Sequence, residues 1–232
     1  MNNMLTPYDW QEGIGHRAQF IEGKLAHSAP IVAISHSEGI LIATYARQSR
    51  KIFEIYDRLA FSAIGHQSDI EAIRTAALDF SSKEGYQRSE AEVTIQRVVS
   101  GISAPIKRVF GDFGQTPMVM RGLFAEVNPT PEADLFYQLD YNGDYSILKG
   151  SAVIAGHDEL EKALHAELKS LDVTAPLDET LSAIWEIYQK TDLWEGSSGF
   201  TTENLEDWRQ EALIIERSDA REDRFRVLTR NP

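Results

Sequence analysis

Four short apolar runs in the first third of the chain leave few folds open. Ile31 to Ile34 and Ile40 to Thr44 flank a polar turn at Ser35 to Gly39, and Lys51 to Ile55 and Leu59 to Ile64 flank a second at Tyr56 to Arg58. Each pair reads as an antiparallel hairpin. Two hairpins in succession exclude the strict alternation of strand and helix that builds a parallel doubly wound sheet. The four strands must instead find partners later in the chain.

Helical signals follow. Ser68-Asp-Ile-Glu71 and Ser89-Glu-Ala-Glu92 both have the spacing of a capping box. The first predicts a helix that buries Ile70, Ile73, Ala77 and Phe80 and ends near Gly85. The second predicts a longer helix with Ile95, Val98, Val99, Ile102, Ile106, Val109 and Phe110 inward, kinked at Pro105. After Gly111 to Pro117 strands return: Met118 to Val127, Leu135 to Leu139, Tyr145 to Leu148 and Ser151 to Ile154, with a tight turn at Asn142-Gly143, and these are expected to form the second sheet. Two further helices, His157 to Leu171 and Leu177 to Gln189, carry leucines and aromatics at steps of three and four. Trp185 and Tyr188 beside Leu181 and Ile184 therefore read as core. Short strands at Ala212 to Ile215 and Phe225 to Leu228 close the chain, with Asp192 to Arg209 read as a surface excursion. This order fits an α+β fold: two antiparallel sheets face to face with a helix pair outside each, a four-layer αββα sandwich.

Before the first hairpin, Thr6-Pro7-Tyr8-Asp9 combines a capping residue, a proline at the first helical position and an acid three residues after the cap. Trp10, Ile14, Ala18, Ile21 and Leu25 then form an apolar stripe, although Gly13, Gly15 and Gly23 each cost roughly 1 kcal/mol against alanine. Such a helix needs packing to stay ordered.

With 232 residues and no linker-like composition, one domain spanning 1–232 is expected. A formal charge of −13 argues against nucleic acid or an anionic membrane as the main partner. No spanning segment or signal peptide is expected. The absence of cysteine agrees with a reducing compartment, so a cytoplasmic location is expected. The six histidines show no ligand spacing flanked by acids apart from His157-Asp158; neither a metal site nor a cofactor is expected.

Lys51-Ile-Phe-Glu-Ile-Tyr-Asp-Arg58, continuing through Ala63-Ile-Gly65 to Arg74, Asp79-Phe80 and Glu84-Gly85-Tyr86, resembles bacterial, actinobacterial-like proteasome alpha-type subunits, of the proteasome family of threonine peptidases. The resemblance implies the N-terminal-nucleophile hydrolase fold. Its cutting members carry a threonine at the head of the first strand; the matching residue here is Ala29, and Tyr45 stands where they place an aspartate. A nucleophile, its amine and a lysine–acid pair are all needed for that chemistry. No catalytic residue is expected here.

The resemblance further implies a non-catalytic subunit that forms a ring, seven copies round, and seats a catalytic beta-type ring in a threonine protease complex. It also implies docking of a ring-shaped ATPase activator, with Lys51 pairing a carboxylate of that activator and Ser28 and His66 lining the pocket. Residues 1–9 then form a mobile gate tail, with Tyr8 and Asp9 as gate residues, and 10–26 the N-terminal helix of alpha-type subunits. Two other readings are kept: a self-processing hydrolase exposing Ser28 as nucleophile after loss of residues 1–27, and a lone interaction module on the same fold.

Overall fold

In the computed structural model the described residues are 6–190, 208–218 and 223–228. Alternating side chains divide the core into three apolar layers. Ile31, Ala33, Ile40, Ile42, Leu213 and Ile215 face Ile52, Ala60, Leu123, Ala125 and Phe136 between two sheets. The opposite faces of the same strands carry helices: Val32, Leu41 and Ile214 meet Leu164, Leu181 and Tyr188 on one side, and Phe61, Met120 and Phe124 meet Ile73, Val98 and Val99 on the other. The result is the four-layer αββα sandwich of the α+β class.

One sheet has the order β10-β9-β2-β1-β8 and the other β3-β4-β5-β6-β7. Their strands are β1 Ile31–His36, β2 Gly39–Ala46, β3 Ile52–Tyr56, β4 Leu59–Gly65, β5 Met120–Glu126, β6 Leu135–Leu139, β7 Tyr145–Leu148, β8 Ser151–Ile154, β9 Arg209–Glu216 and β10 Phe225–Val227. All pairings are antiparallel. The later strands do not make a sheet of their own, as the chain order suggested. β5 to β7 extend the second hairpin, whereas β8, β9 and β10 extend the first, because each inherits exposed edges from an earlier hairpin. The first hairpin also runs further than its apolar residues: His36, fully buried, keeps its ring between the Ala175 carbonyl (2.9 Å) and the Glu38 amide (3.1 Å).

Both serine capping boxes are corrected. Helix α2 (Gln67–Gln87) starts before Ser68, with His66 at its cap and no side-chain capping bond; Asp69 instead accepts from the Val119 amide (2.8 Å), and Glu71 binds Arg74 (2.9 Å). The helix passes through Gly85, where a Cβ would lie 2.2 Å from the Tyr56 hydroxyl, so that glycine serves close approach. Ser89 opens only a 3-10 turn, Glu90–Glu92. Helix α3 (Ile95–Gly111) begins later, where Glu126 of β5 accepts from the Ile95 amide (2.9 Å). A carboxylate from a neighbouring strand does the capping that the local serine was expected to do. Helices α4 (Asp158–Leu168) and α5 (Leu177–Lys190) cover the other sheet, and Trp185 and Tyr188 are core.

Helix α1 (Pro7–Leu25) has its capping box formed: the Thr6 amide and hydroxyl donate to the Asp9 carboxylate (2.9 and 2.7 Å), and the Asp9 amide donates to Thr6 Oγ1 (3.2 Å). The expected boundary between tail and helix at residues 9 and 10 therefore falls inside the helix; Met1 to Leu5 lie outside the described residues, as do 191–207 of the expected surface excursion. Only the C-terminal part of the apolar stripe is buried, with Ile21 at 0% and Leu25 at 1% exposure, while Trp10 stands 49% exposed. Arg17 explains how the rest is held. Its guanidinium donates to the carbonyls of Val109 (3.3 Å) and Phe110 (3.1 Å) in the last turn of α3 and of Asp112 (2.8 Å) and Gln115 (2.6 Å) in the loop that follows. Gly13 lets Phe113 lie against the helix, since a Cβ would come within 2.7 Å of that ring.

Candidate functional site: a lysine pocket at the head of the first strand

Chain direction brings Ala29 to the head of β1, where it is fully buried in the layer facing α4 and α5. Its side chain is a methyl group and offers no nucleophile. The residue that reaches it is Lys51, at the entrance to β3, whose Nζ donates to the Ala29 carbonyl (3.2 Å). The backbone of Lys51 is fixed on both sides. Glu211 of β9 accepts from the Lys51 amide with both oxygens (3.1 Å each) and from the Ile52 amide (3.0 Å), while Ser62 Oγ donates to the Lys51 carbonyl (2.7 Å). The lysine is thus aimed by its own main chain, and a buried acid does the aiming.

Burial lowers the Lys51 ammonium to about 8, opposed by the negative charge of Glu211. The residue remains half-exposed through the mouth of a cavity of ≈ 410 Å³. His27, Ser28, Arg47 and Trp208 share this cavity with Lys51. The Trp208 ring has two cations near it, the Arg47 guanidinium at 4.5 Å and the Lys51 amine at 5.8 Å from its centroid. The pocket therefore offers positive charge beside an aromatic wall, a setting that favours a carboxylate whose hydration is partly removed.

Of the three pocket residues expected from sequence, the fold brings Lys51 and Ser28 together. Ser28 is half-buried and its amide donates to the Leu25 carbonyl (2.9 Å) as the chain leaves α1. His66 is exposed at the cap of α2, 4.0 Å from the Asp69 carboxylate; its neighbours Gly65 and Gln67 line the cavity, and His66 does not. Tyr8 and Asp9 sit in the first turn of α1. Tyr8 is 83% exposed, and the Asp9 carboxyl, held below its ordinary value by the bonds from Thr6, is engaged in capping.

Tyr45 is the residue expected by resemblance at the place where cutting relatives carry an aspartate. It is buried at the end of β2, edge-on to Trp185 and Tyr188 with both ring centroids 5.2 Å away, and receives a hydrogen bond from Gln210 (3.3 Å). Burial raises its hydroxyl pKa. Tyr45 is thus one ring of a buried aromatic cluster. Three residues of the site were missed in the sequence. Glu211 had a faint signal, a lone acid at the head of an apolar strand. Arg47 and Trp208 had none, because only the β2–β9 register, with Ala46 opposite Arg209, brings them together.

Residues 26–193 match the family model described as Proteasome subunit. The chain is similar to the proteasome subunit alpha of Xylanimonas cellulosilytica, 32% identical over 145 residues, or 62% of this chain and 59% of that protein. The match thus spans less than two thirds of that relative's length. It is similar also to the proteasome subunit alpha of Acidothermus cellulolyticus, 29% identical over 71% of this chain and 70% of the relative. That of Frankia alni is 25% identical over 75% and 80%.

Proposed function

The chain belongs to the proteasome subunit family, and we propose that within it the chain serves as a non-catalytic alpha-type subunit of a bacterial 20S core particle. It forms the outer ring, seven copies round, in the cytoplasm, seats a catalytic beta-type ring and controls the passage of substrate into the chamber. The observation that carries this reading is the head of β1: the residue there is a buried alanine whose carbonyl is bound by Lys51, and Tyr45, read by resemblance at the place of the acid, is buried among aromatic rings. The alpha-type names of the relatives support it.

The alternative, processing before Ser28, requires removal of α1. Against it stand Ile21 and Leu25, whose loss would open the inter-sheet core, and the four carbonyls that Arg17 satisfies. Tyr141 adds a bond from its hydroxyl to Glu22 (2.9 Å). A segment this deeply joined to the core acts as part of the domain.

Lys51 is read as the docking cation. A chain-terminal carboxylate of an ATPase activator enters the cavity and pairs with the ammonium, while Ser28 lines the floor and His66 stands at the margin. Residues before Thr6, with Tyr8 and Asp9 at the start of α1, form the gate. The experiment is co-expression with a beta-type subunit. A stacked particle with peptidase activity in the assembly and none in this chain alone supports the reading; peptide hydrolysis by the purified chain alone overturns it. In that particle Lys51→Ala abolishes activator-stimulated degradation and leaves unassisted peptide hydrolysis unchanged, and deletion of Met1 to Leu5 speeds unassisted hydrolysis. Unchanged rates remove the docking and gating roles respectively.

A further inference from the structure

Lys51 shares its cavity with a second permanent cation. Arg47 follows the last residue of β2, and Ala46 pairs with Arg209 at the end of the β2–β9 ladder, so the register carries Arg47 towards Trp208, the residue before β9. The guanidinium lies over that ring, 4.5 Å from its centroid, and the Lys51 ammonium is 5.8 Å from the same centroid. Trp208 is itself packed against the core layer under α4 and α5, which fixes this wall of the cavity.

The two cations differ in what they can hold. Lys51 presents a compact ammonium, aimed by its main chain and already donating to one carbonyl. Arg47 presents a planar fork, and it is exposed, hence open to an incoming chain. A guanidinium lying over an aromatic ring keeps its in-plane N–H groups for a carboxylate, which it can grip through both oxygens. Among the described residues no carboxylate lines the cavity and Arg47 has no ion pair. A single carboxylate answers only one of the two charges. Because both cations lie around one ring, the two anionic groups that match them sit close together on the ligand. An acidic residue at the very end of a chain carries two carboxylates on one residue.

Resting on the reading of Lys51 as the docking cation, we propose that this cavity prefers a partner chain whose last residue is acidic, with Lys51 pairing the main-chain carboxylate and Arg47 gripping the side-chain carboxylate. Lys51 then recognises that a chain ends, and Arg47 selects which side chain it ends on.

Fluorescence anisotropy of the full-length chain with three Gly-Ser decapeptides, each carrying a neutral fluorophore at its N-terminus, tests this. One ends in aspartate, one in asparagine, and the third is the aspartate peptide with its terminal carboxylate amidated. The aspartate peptide should bind about tenfold more tightly than the asparagine peptide, the difference made by one charge-assisted contact. Arg47→Gln should bring that ratio to about one, and Arg47→Glu should invert it. Arg47 is exposed and lies past the end of its strand, so neither variant should move the thermal unfolding midpoint. Equal binding of the aspartate and asparagine peptides, or a ratio that survives Arg47→Gln, overturns the preference and leaves the docking role of Lys51 standing. Binding indifferent to amidation overturns the docking role on which the preference rests, and no saturable binding by any of the peptides overturns both.

Discussion

At one end of β1, Arg217 is enclosed by acceptors: both Asp134 oxygens (2.8 and 2.9 Å), the His36 carbonyl (2.9 Å) and the Asn128 carbonyl, with the Ser37 carbonyl at 3.4 Å. At the other end Lys51 has one carbonyl acceptor, and the nearby Glu211 carboxylate is occupied by backbone amides. Both cations are partly buried, yet the first is fully engaged and the second keeps binding capacity. A buried charge whose donors are all matched holds the fold. A charge left under-coordinated beside a cavity is available to a partner, which is why Lys51 and not Arg217 marks the candidate site.

The largest effect expected from this contrast is at the engaged end. Arg217→Ala strands the fully buried Asp134 and should lower the unfolding free energy by about 3 to 5 kcal/mol in urea titration. A loss no greater than that of Lys51→Ala would erase the distinction between the two ends. Leu25→Ala tests whether α1 is part of the domain at the lysine end; a cavity in the inter-sheet core should cost about 2 to 5 kcal/mol, whereas a detachable segment would unfold separately at little cost.

Glu211→Gln sharpens the account of how Lys51 is aimed. Replacing a buried acceptor of the Lys51 and Ile52 amides should cost about 1 to 3 kcal/mol. It should also shift the Lys51 titration, followed by NMR of the amine, below about 8, because the charge that opposes burial is gone. An unmoved titration would mean that Glu211 positions the backbone only.

The last test is of pH dependence. The folded-state ammonium titrates at about 8, against 10.5 for an unperturbed lysine. The unfolded chain therefore binds more protons between these values, and Lys51 makes stability rise with pH through that window; below about 8 its unfavourable burial is present in full. Lys51→Met should remove this rise. A slope that survives the substitution assigns it to another group.

Much of the fold was legible because period-two and period-3.6 patterns are local. Leu135–Leu139, Tyr145–Leu148 and Ser151–Ile154 have the bounds their residues suggest. What failed was chemistry decided across the fold. Ser68 and Ser89 carry the spacing of a cap, yet Asp69 turns to the Val119 amide and Glu126 takes the amide of Ile95, bonds to residues that local spacing does not reveal. Gly13, read as a helix penalty, proved to admit Phe113, and Gly85, read as a helix end, to admit Tyr56. Lys51 and Ser28, which line one cavity, were expected through resemblance, whereas Glu211, Arg47 and Trp208 depend on pairing between strands about 160 residues apart in the chain.

The account rests on α1 remaining attached to a first strand headed by Ala29. Intact mass of the chain recovered from particles assembled with a beta-type partner measures this directly. Retention of residues through 27 on every copy is the predicted result; a mature chain beginning at Ser28 would contradict it.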